Sequence, residues 1–266
     1  MALRSPLLNV MVDAAKKAAR GLLRDFGEVE QLQVSVKGPA DFVSAADRKA
    51  EQVIRDELTR ARPKFGFLME EHGAHVGEDT SNRWLVDPLD GTTNFLHGIP
   101  QFAISICLER DGKPYAGVIY DPVHDEMFFA EQGKGAYLNE RRIRVAGRDR
   151  LDNAVIATGI PHRGRAGREG YIPGLAAMME VAAGIRRAGS AALDLAWVAA
   201  GRYDGFWERG LKPWDLGAGV VIVREAGGHV TEVEGGDGML ASGSVLAANP
   251  LIHAQLFEIL RHHPAT

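Results

Sequence analysis

The chain reads as a mixed protein, α+β in its first half and α/β in its second, and three stretches carry that reading. Residues 5–26 repeat apolar positions at three- and four-residue steps, the period of a helix with one buried face. Residues 103–138 break into short apolar runs divided by turn residues, the pattern of an antiparallel meander. From residue 155 to residue 260 strand-like runs alternate with helix-like ones, as in an α/β layer.

In order, the first helix buries Leu8, Met11, Ala15, Ala18, Leu22 and Phe26. Lys16, Lys17, Arg20 and Arg24 make it basic, but Asp13 and Asp25 favour a packing helix over a transit peptide. A short extended segment, Phe42-Val43, lies between Asp41 and Ser44. Residues 47–60 predict a helix with Ala50, Val53, Ile54 and Leu58 on one face and Asp47 as its N-cap. Residues 65–69 form an apolar run ending at Glu70 and Glu71. Residues 74–83 are polar and predict a mobile loop. His72 and His75 have an HxxH spacing, but no further zinc ligands are evident nearby.

Trp84–Phe95, WLVDPLDGTTNF, predicts a buried strand, a tight turn and a helix start. Pro88 holds Asp87 extended, so Asp87 and Asp90 fall at the strand's C-terminal end. Hard divalent cations need oxygen ligands, and a glycine at a helix N-terminus leaves bare N–H groups for an anion. An acidic surface turn with an Asp cap fits the same residues.

Beyond it, Ala103–Leu108 and Gly117–Tyr120 predict strands joined by a hairpin turn at Asp111-Gly112-Lys113. Met127–Ala130 and Gly135–Leu138 continue the meander, and Gly133-Lys134-Gly135 lacks the frame of a nucleotide-binding loop. A charged segment, Ala146–Asp152, marks the expected boundary between an N-terminal lobe, 1–148, and a C-terminal lobe, 149–266, of one compact unit. In the second lobe Val155–Thr158, Gly205–Glu208 and Val245–Ala248 predict strands. Leu175–Ala183, Ala191–Ala200, Asp215–Ala226 and Ile252–Leu260 predict helices. Gly217 and Gly219 lack the third glycine of a dinucleotide fingerprint.

Composition narrows the function classes. A formal charge of −4 gives no reason to expect nucleic-acid binding by bulk charge. No run reaches the ~18 apolar residues of a membrane span, and no signal-peptide core is read, so a cytoplasmic protein is expected. The single cysteine, Cys107, lies in an apolar run and is expected to be a buried hydrophobe.

Taken together, KGPADFVSAAD (37–47), FGFLMEEHG (65–73), WLVDPLDGTTNF and WDLGAGVVIVREAGG (214–228) resemble the inositol monophosphatase family of metal-dependent, lithium-sensitive phosphatases. The likeness runs from about Lys37 to Asn249, and GSAALDLAWVAAGRYDGFWERGLKPWD is most similar to the bacterial branch. It implies the layered αβαβα sandwich shared with fructose-1,6-bisphosphatase. It also implies hydrolysis of a phosphate monoester, most simply myo-inositol monophosphate, by metal-activated water with two or three Mg²⁺ ions. Glu70, Asp87 and the Leu89 carbonyl resemble the ligands of a first ion; Asp87, Asp90 and Asp215 resemble those of a second. Asp87 would bridge them at ~4 Å, a common two-metal spacing. Glu70 and Thr92 would orient the attacking water, with Asp47 holding the Thr92 hydroxyl. The N–H groups of Gly91 and Thr92 would bind phosphate. Gly189, Ser190, Ala191 and Glu208 match positions facing the alcohol, although Glu208 also fits a surface pair with Arg209 or Lys212.

The resemblance further implies a homodimer, to which the apolar run Ala191–Ala200 with Trp197 is expected to contribute surface. Fructose-1,6-bisphosphate, histidinol phosphate, adenosine 3′,5′-bisphosphate and NADP are alternative substrates of the same chemistry. A non-catalytic interaction protein keeping the fold is the alternative of a different class. Two departures from the family pattern stand out: Met69 in place of glycine, and Ser44 in place of threonine.

Overall fold

The structure is a computed structural model and describes residues 4–28, 34–38, 41–161 and 168–264. Helix α1 (Pro6–Phe26) starts where Ser5 accepts the Leu8 N–H and Pro6 fills a position that needs no donor. Leu8, Met11, Ala15, Ala18 and Leu22 are buried as the periodicity predicts. Phe26 is partly buried, and its ring packs on Phe95 and Phe102 at 5.6 and 5.0 Å between centroids. Strands β1 (Val34–Gly38) and β2 (Asp41–Ser44) pair as a separate antiparallel hairpin. The side chains of these strands, Asp41 and Ser44 among them, lie outside the described residues.

Helix α2 (Ala45–Ala61) begins earlier than predicted, which puts Asp47 inside the first turn and not at the N-cap. Its buried face is Ala46, Asp47, Ala50, Glu51, Ile54 and Leu58, while Val53, expected there, is 36% exposed. A helix advances 100° per residue, so Val53 is turned a full step away from Ile54.

Next come β3 (Phe65–Met69), β4 (Gly73–His75) and β5 (Asp79–Asp90). The predicted loop 74–83 is therefore mostly strand. β4 is an edge strand and the outer part of β5 is largely exposed, so neither needs an apolar alternation. After α3 (Thr92–Leu96), strands β6 (Ala103–Arg110) and β7 (Lys113–Asp121) meet at Asp111-Gly112, both with positive φ, the two-residue hairpin turn that matches strand twist. β8 (Glu126–Glu131), β9 (Ala136–Leu138) and β10 (Arg141–Arg142) complete an eight-stranded sheet of order β10-β9-β8-β7-β6-β5-β3-β4.

The rest of the chain builds β11 (Val155–Thr158), α4 (Arg168–Met179), β12 (Gly184–Arg186), α5 (Ala191–Ala199), β13 (Gly205–Glu208), α6 (Pro213–Glu225), β14 (His229–Thr231), α7 (Met239–Ser242), β15 (Val245–Ala248) and α8 (Pro250–Leu260). The helix predicted over 175–183 lies earlier, across Pro173, and gives way to strand β12. The five-stranded sheet has the order β12-β11-β13-β15-β14.

Three clusters of buried side chains hold the layers. α1 and α2 cover one face of the large sheet. α5 and α6 fill the space between its other face and the small sheet. α4 and α8 cover the outside of the small sheet. The result is an αβαβα sandwich. Of Ala191–Ala200, expected to contribute interface, Ala191–Ala196, Val198 and Ala199 are buried in the core of the single chain, while Trp197 and Ala200 are only partly buried. α6 fits only because it is small-sided. A Cβ on Gly217 would stand 2.9 Å from Cys107 Sγ, and one on Gly219 2.4 Å from Leu195. That glycine pair is a packing device. Cys107 is buried, and burial pushes its thiol pKa up. Among the described residues, no helix is long and apolar enough to cross a membrane.

Candidate active site

The site begins where β5 loses register with β6. Asp87 stands opposite Ser105 and Asp90 opposite Ala103, so the β5 side holds one extra residue between them. Pro88 has no N–H for the ladder, which is where a bulge is expected. Asp87 is 2% exposed, and its Oδ1 accepts the Leu89 N–H at 2.9 Å. The chain then turns at Gly91, whose φ is 98° and where a Cβ would meet the Gln101 carbonyl at 2.9 Å. Only glycine fits both demands.

Thr92 opens α3. Its Oγ1 lies 3.1 Å from the Leu89 carbonyl and 3.3 Å from Asp47 Oδ1. A hydroxyl has one hydrogen, so it donates to one of the two at a time and keeps lone pairs to accept from a third group. On the neighbouring strand, the Glu70 N–H donates to the Val86 carbonyl at 3.2 Å, which sets Glu70 beside Asp87.

Two tethers bring in the second half of the chain. Asp90 Oδ2 accepts from Ser190 Oγ at 2.6 Å and from the Ala192 N–H at 2.7 Å. Asn94 Nδ2 donates to the Gln101 and Ala188 carbonyls at 2.7 and 2.9 Å. The loop of Gly189, Ser190 and Ala191 is thereby fixed against the strand end. Ser190 is buried with its hydroxyl engaged, and Ala191 is buried too. Asp215 sits in the first turn of α6, 8% exposed, with Oδ2 accepting the Lys212 N–H at 2.8 Å. Ser105 Oγ donates to the Trp214 carbonyl at 2.9 Å, so the residue facing Asp87 also anchors the helix that carries Asp215.

Electrostatics at this point are one-sided. Burial drives the Asp87 carboxyl pKa well up, and Glu70, Asp90 and Asp215 drive it further. Asp215 is pushed to about 8 by burial first and by Asp90 next, against the pull of the Lys212 N–H. Asp194, also buried, is raised by desolvation and by Glu208 and Asp90, and its Oδ1 has no hydrogen-bond partner. Among the described residues, no three His, Cys, Asp or Glu side chains are already closed around a common ion position. The donor set nevertheless fits a hard divalent cation. Its side chains offer oxygen alone, and carboxyls that penalise one another's ionisation are relieved by arriving positive charge.

Glu208 stands at the end of β13 with its carboxylate packed against Gly159, where a Cβ would fall 1.8 Å from it. Arg209 pairs with Glu234 at 2.6 Å. His72 pairs with Glu51, and His75 is exposed on β4. Sequence reasoning missed Glu51, Asn94, Ser105 and Asp194. Glu51 did carry a signal: it repeats Asp47 at four residues, on the apolar face of a helix.

The profile of the inositol monophosphatase family matches residues 3–265. Inositol-1-monophosphatase of Mesorhizobium japonicum is 59% identical over 258 residues, 97% of each chain. The Nus factor SuhB of Escherichia coli is 42% identical over 256 residues, 96% of each. The crystal structure of extragenic suppressor protein suhB from Bartonella henselae superposes with a TM-score of 0.94 at 58% identity, covering 97% of this chain and 99% of that one. The Thermotoga maritima IMPase gives 0.88 at 33% identity, covering 97% and 98%. A layered sandwich with carboxylates gathered at a strand end thus defines the class. The chain belongs to the inositol monophosphatase family, and its close relatives named Inositol-1-monophosphatase make it a phosphoric monoester hydrolase.

Proposed function

We propose that the protein is a Mg²⁺-dependent phosphomonoesterase that cleaves myo-inositol monophosphate to inositol and phosphate. The observation that carries the reading is Thr92 Oγ1, 3.1 Å from the Leu89 carbonyl and 3.3 Å from Asp47 Oδ1, on the turn that follows Asp87, whose ionisation Glu70, Asp90 and Asp215 oppose. Relatives named Inositol-1-monophosphatase at 53 to 59% identity support the substrate.

Glu70, Asp87, the Leu89 carbonyl, Asp90 and Asp215 would hold two or three Mg²⁺ ions. When bound, such ions neutralise the phosphate dianion and lower the pKa of coordinated water. The chain supplies the rest. Thr92 accepts one hydrogen bond from the attacking water, with its rotamer held by Asp47. Glu70 takes the proton that water releases. The Gly91 and Thr92 N–H groups steady the phosphate oxygens. Water oxygen bonds to phosphorus as the ester P–O bond breaks, and the departing alkoxide collects a proton from solvent in the site. No covalent phosphoenzyme is formed. Glu208 accepts hydrogen bonds from the alcohol beside Gly189 and Ala191. We place the enzyme in the cytoplasm as a homodimer, on family resemblance.

Phosphate release from inositol monophosphate, fructose-1,6-bisphosphate, histidinol phosphate, adenosine 3′,5′-bisphosphate and NADP, with and without Mg²⁺, tests the reading. The highest kcat/KM is expected on inositol monophosphate. Relatives named Nus factor SuhB keep a second reading open, a fold that acts through an interaction surface. Absence of Mg²⁺-dependent release on the whole panel selects it.

A further inference from the structure

Glu51 is fully buried on α2, four residues after the equally buried Asp47 and so about one helical turn along the same face. Its carboxylate faces the turn between β3 and β4, which carries Glu70. Glu51 Oε2 accepts the Glu71 N–H at 2.9 Å, and Oε1 accepts the His72 N–H at 2.9 Å. The His72 ring closes on Oε1 through Nδ1. The Glu70 N–H itself is bonded to the Val86 carbonyl on β5. Three consecutive backbone donors are thus fixed, one by the sheet and two by a single side chain from a helix. A buried carboxylate is tolerated only with such partners, and a charge-assisted bond to a backbone N–H is among the stronger kinds.

Asp47 and Glu51 therefore address two different segments from one rigid element. Asp47 reaches the Thr92 hydroxyl at the start of α3, and Glu51 reaches the backbone immediately after Glu70. We propose that Glu51 is a positioning residue that sets the direction of the Glu70 carboxylate, so that α2 aligns both groups that orient the water. This rests on the phosphatase reading above. An alternative is that Glu51 only closes a hairpin, which would affect stability alone.

Glu51→Gln separates the two. One amide oxygen still accepts a backbone N–H, while the NH₂ opposes the other. With a positioning role, kcat falls on the order of 10-fold or more and Mg²⁺ binding by calorimetry weakens by a similar factor, the usual scale for a partner that orients a ligand. KM stays within about threefold, because the phosphate contacts lie on α3. His72→Ala keeps both backbone bonds and is expected to leave kcat within about twofold of wild type. A Glu51→Gln protein that merely melts earlier, with kcat and Mg²⁺ affinity within about twofold of wild type, overturns the proposal. So does a His72→Ala loss as large as that of Glu51→Gln. If Glu51→Gln does not fold, hydrogen exchange on wild type decides: the Glu71 and His72 amides are expected to be protected, and exchange at open-loop rates overturns the tether. Wild-type inactivity across the phosphate panel sinks the phosphatase reading instead, and calorimetric Mg²⁺ binding still tests Glu51.

Discussion

Ser190 and Asp90, a hundred residues apart in sequence, are joined by a 2.6 Å hydrogen bond that moors the start of α5 to the end of β5. The same hydroxyl accepts the Leu193 N–H and caps α5. Ser190→Ala removes both interactions at once. The expected cost is about 1–3 kcal/mol, the sum of a lost cap and a lost bond to a charged group. That corresponds to a Tm lower by several degrees for a chain of this size. Calorimetry showing an unchanged Tm would deny the mooring.

Thr92 has a specific hydroxyl role if it orients water. Thr92→Ala is expected to lower kcat roughly 10²-fold while KM barely moves, because the proposed phosphate donors are backbone groups. Thr92→Ser should recover most of the rate. Equal losses in the two variants would assign Thr92 to packing.

Removing metal should abolish turnover. Glu70, Asp90 and Asp215 all oppose ionisation of the buried Asp87, a conflict that a bound cation relieves, so EDTA is expected to silence the enzyme and Mg²⁺ to restore it. Mg²⁺ should also raise the Tm of wild type, and Asp215→Asn should shrink that rise. Full turnover in chelated buffer counts against the whole scheme.

Far from the site, His253 gives a pH-dependent stability. It is buried, with His229 packed 4.4 Å away between ring centroids and Thr231 Oγ1 at 3.0 Å. Burial, and then His229, pull its pKa down to about 4. The unfolded chain protonates near 6.5, so between these values U binds more protons than N and stability rises with pH. The contribution is complete above about pH 6.5 and is lost on acidification toward about pH 4, by at most about 3 kcal/mol. Urea unfolding from pH 7.5 to 5 should show a steeper decline for wild type than for His253→Gln. Parallel declines would place the acid sensitivity elsewhere.

The parts of the fold legible in sequence were those with a strong local signal. The Leu8–Leu22 stripe and the Asp111-Gly112 turn both encode their geometry within a few residues. β12 and β14 did not, since three-residue strands show no period and exist by pairing with β11 and β15. The polar stretch 74–83 reads as a loop because the edge strand β4 and the exposed outer end of β5 both lack apolar alternation. The carboxylate motifs marked the strand end, but the tethers from Ser105, Asn94 and Glu51 are tertiary. Each joins segments that no single window contains.

The close fit of α6 has a consequence for the order in which the chain matures. Its glycines touch Cys107 on one side and Leu195 on the other, so the helix seats only when the large sheet and α5 are both in place. A folding intermediate that had finished its eight-stranded sheet would display Asp87 and Asp90 without Asp215. Such non-local docking is slow compared with hairpin formation. On the proposed assignment of the metal ligands, Mg²⁺ uptake during refolding would thus serve as a clock for the final docking event, lagging behind the appearance of β-structure.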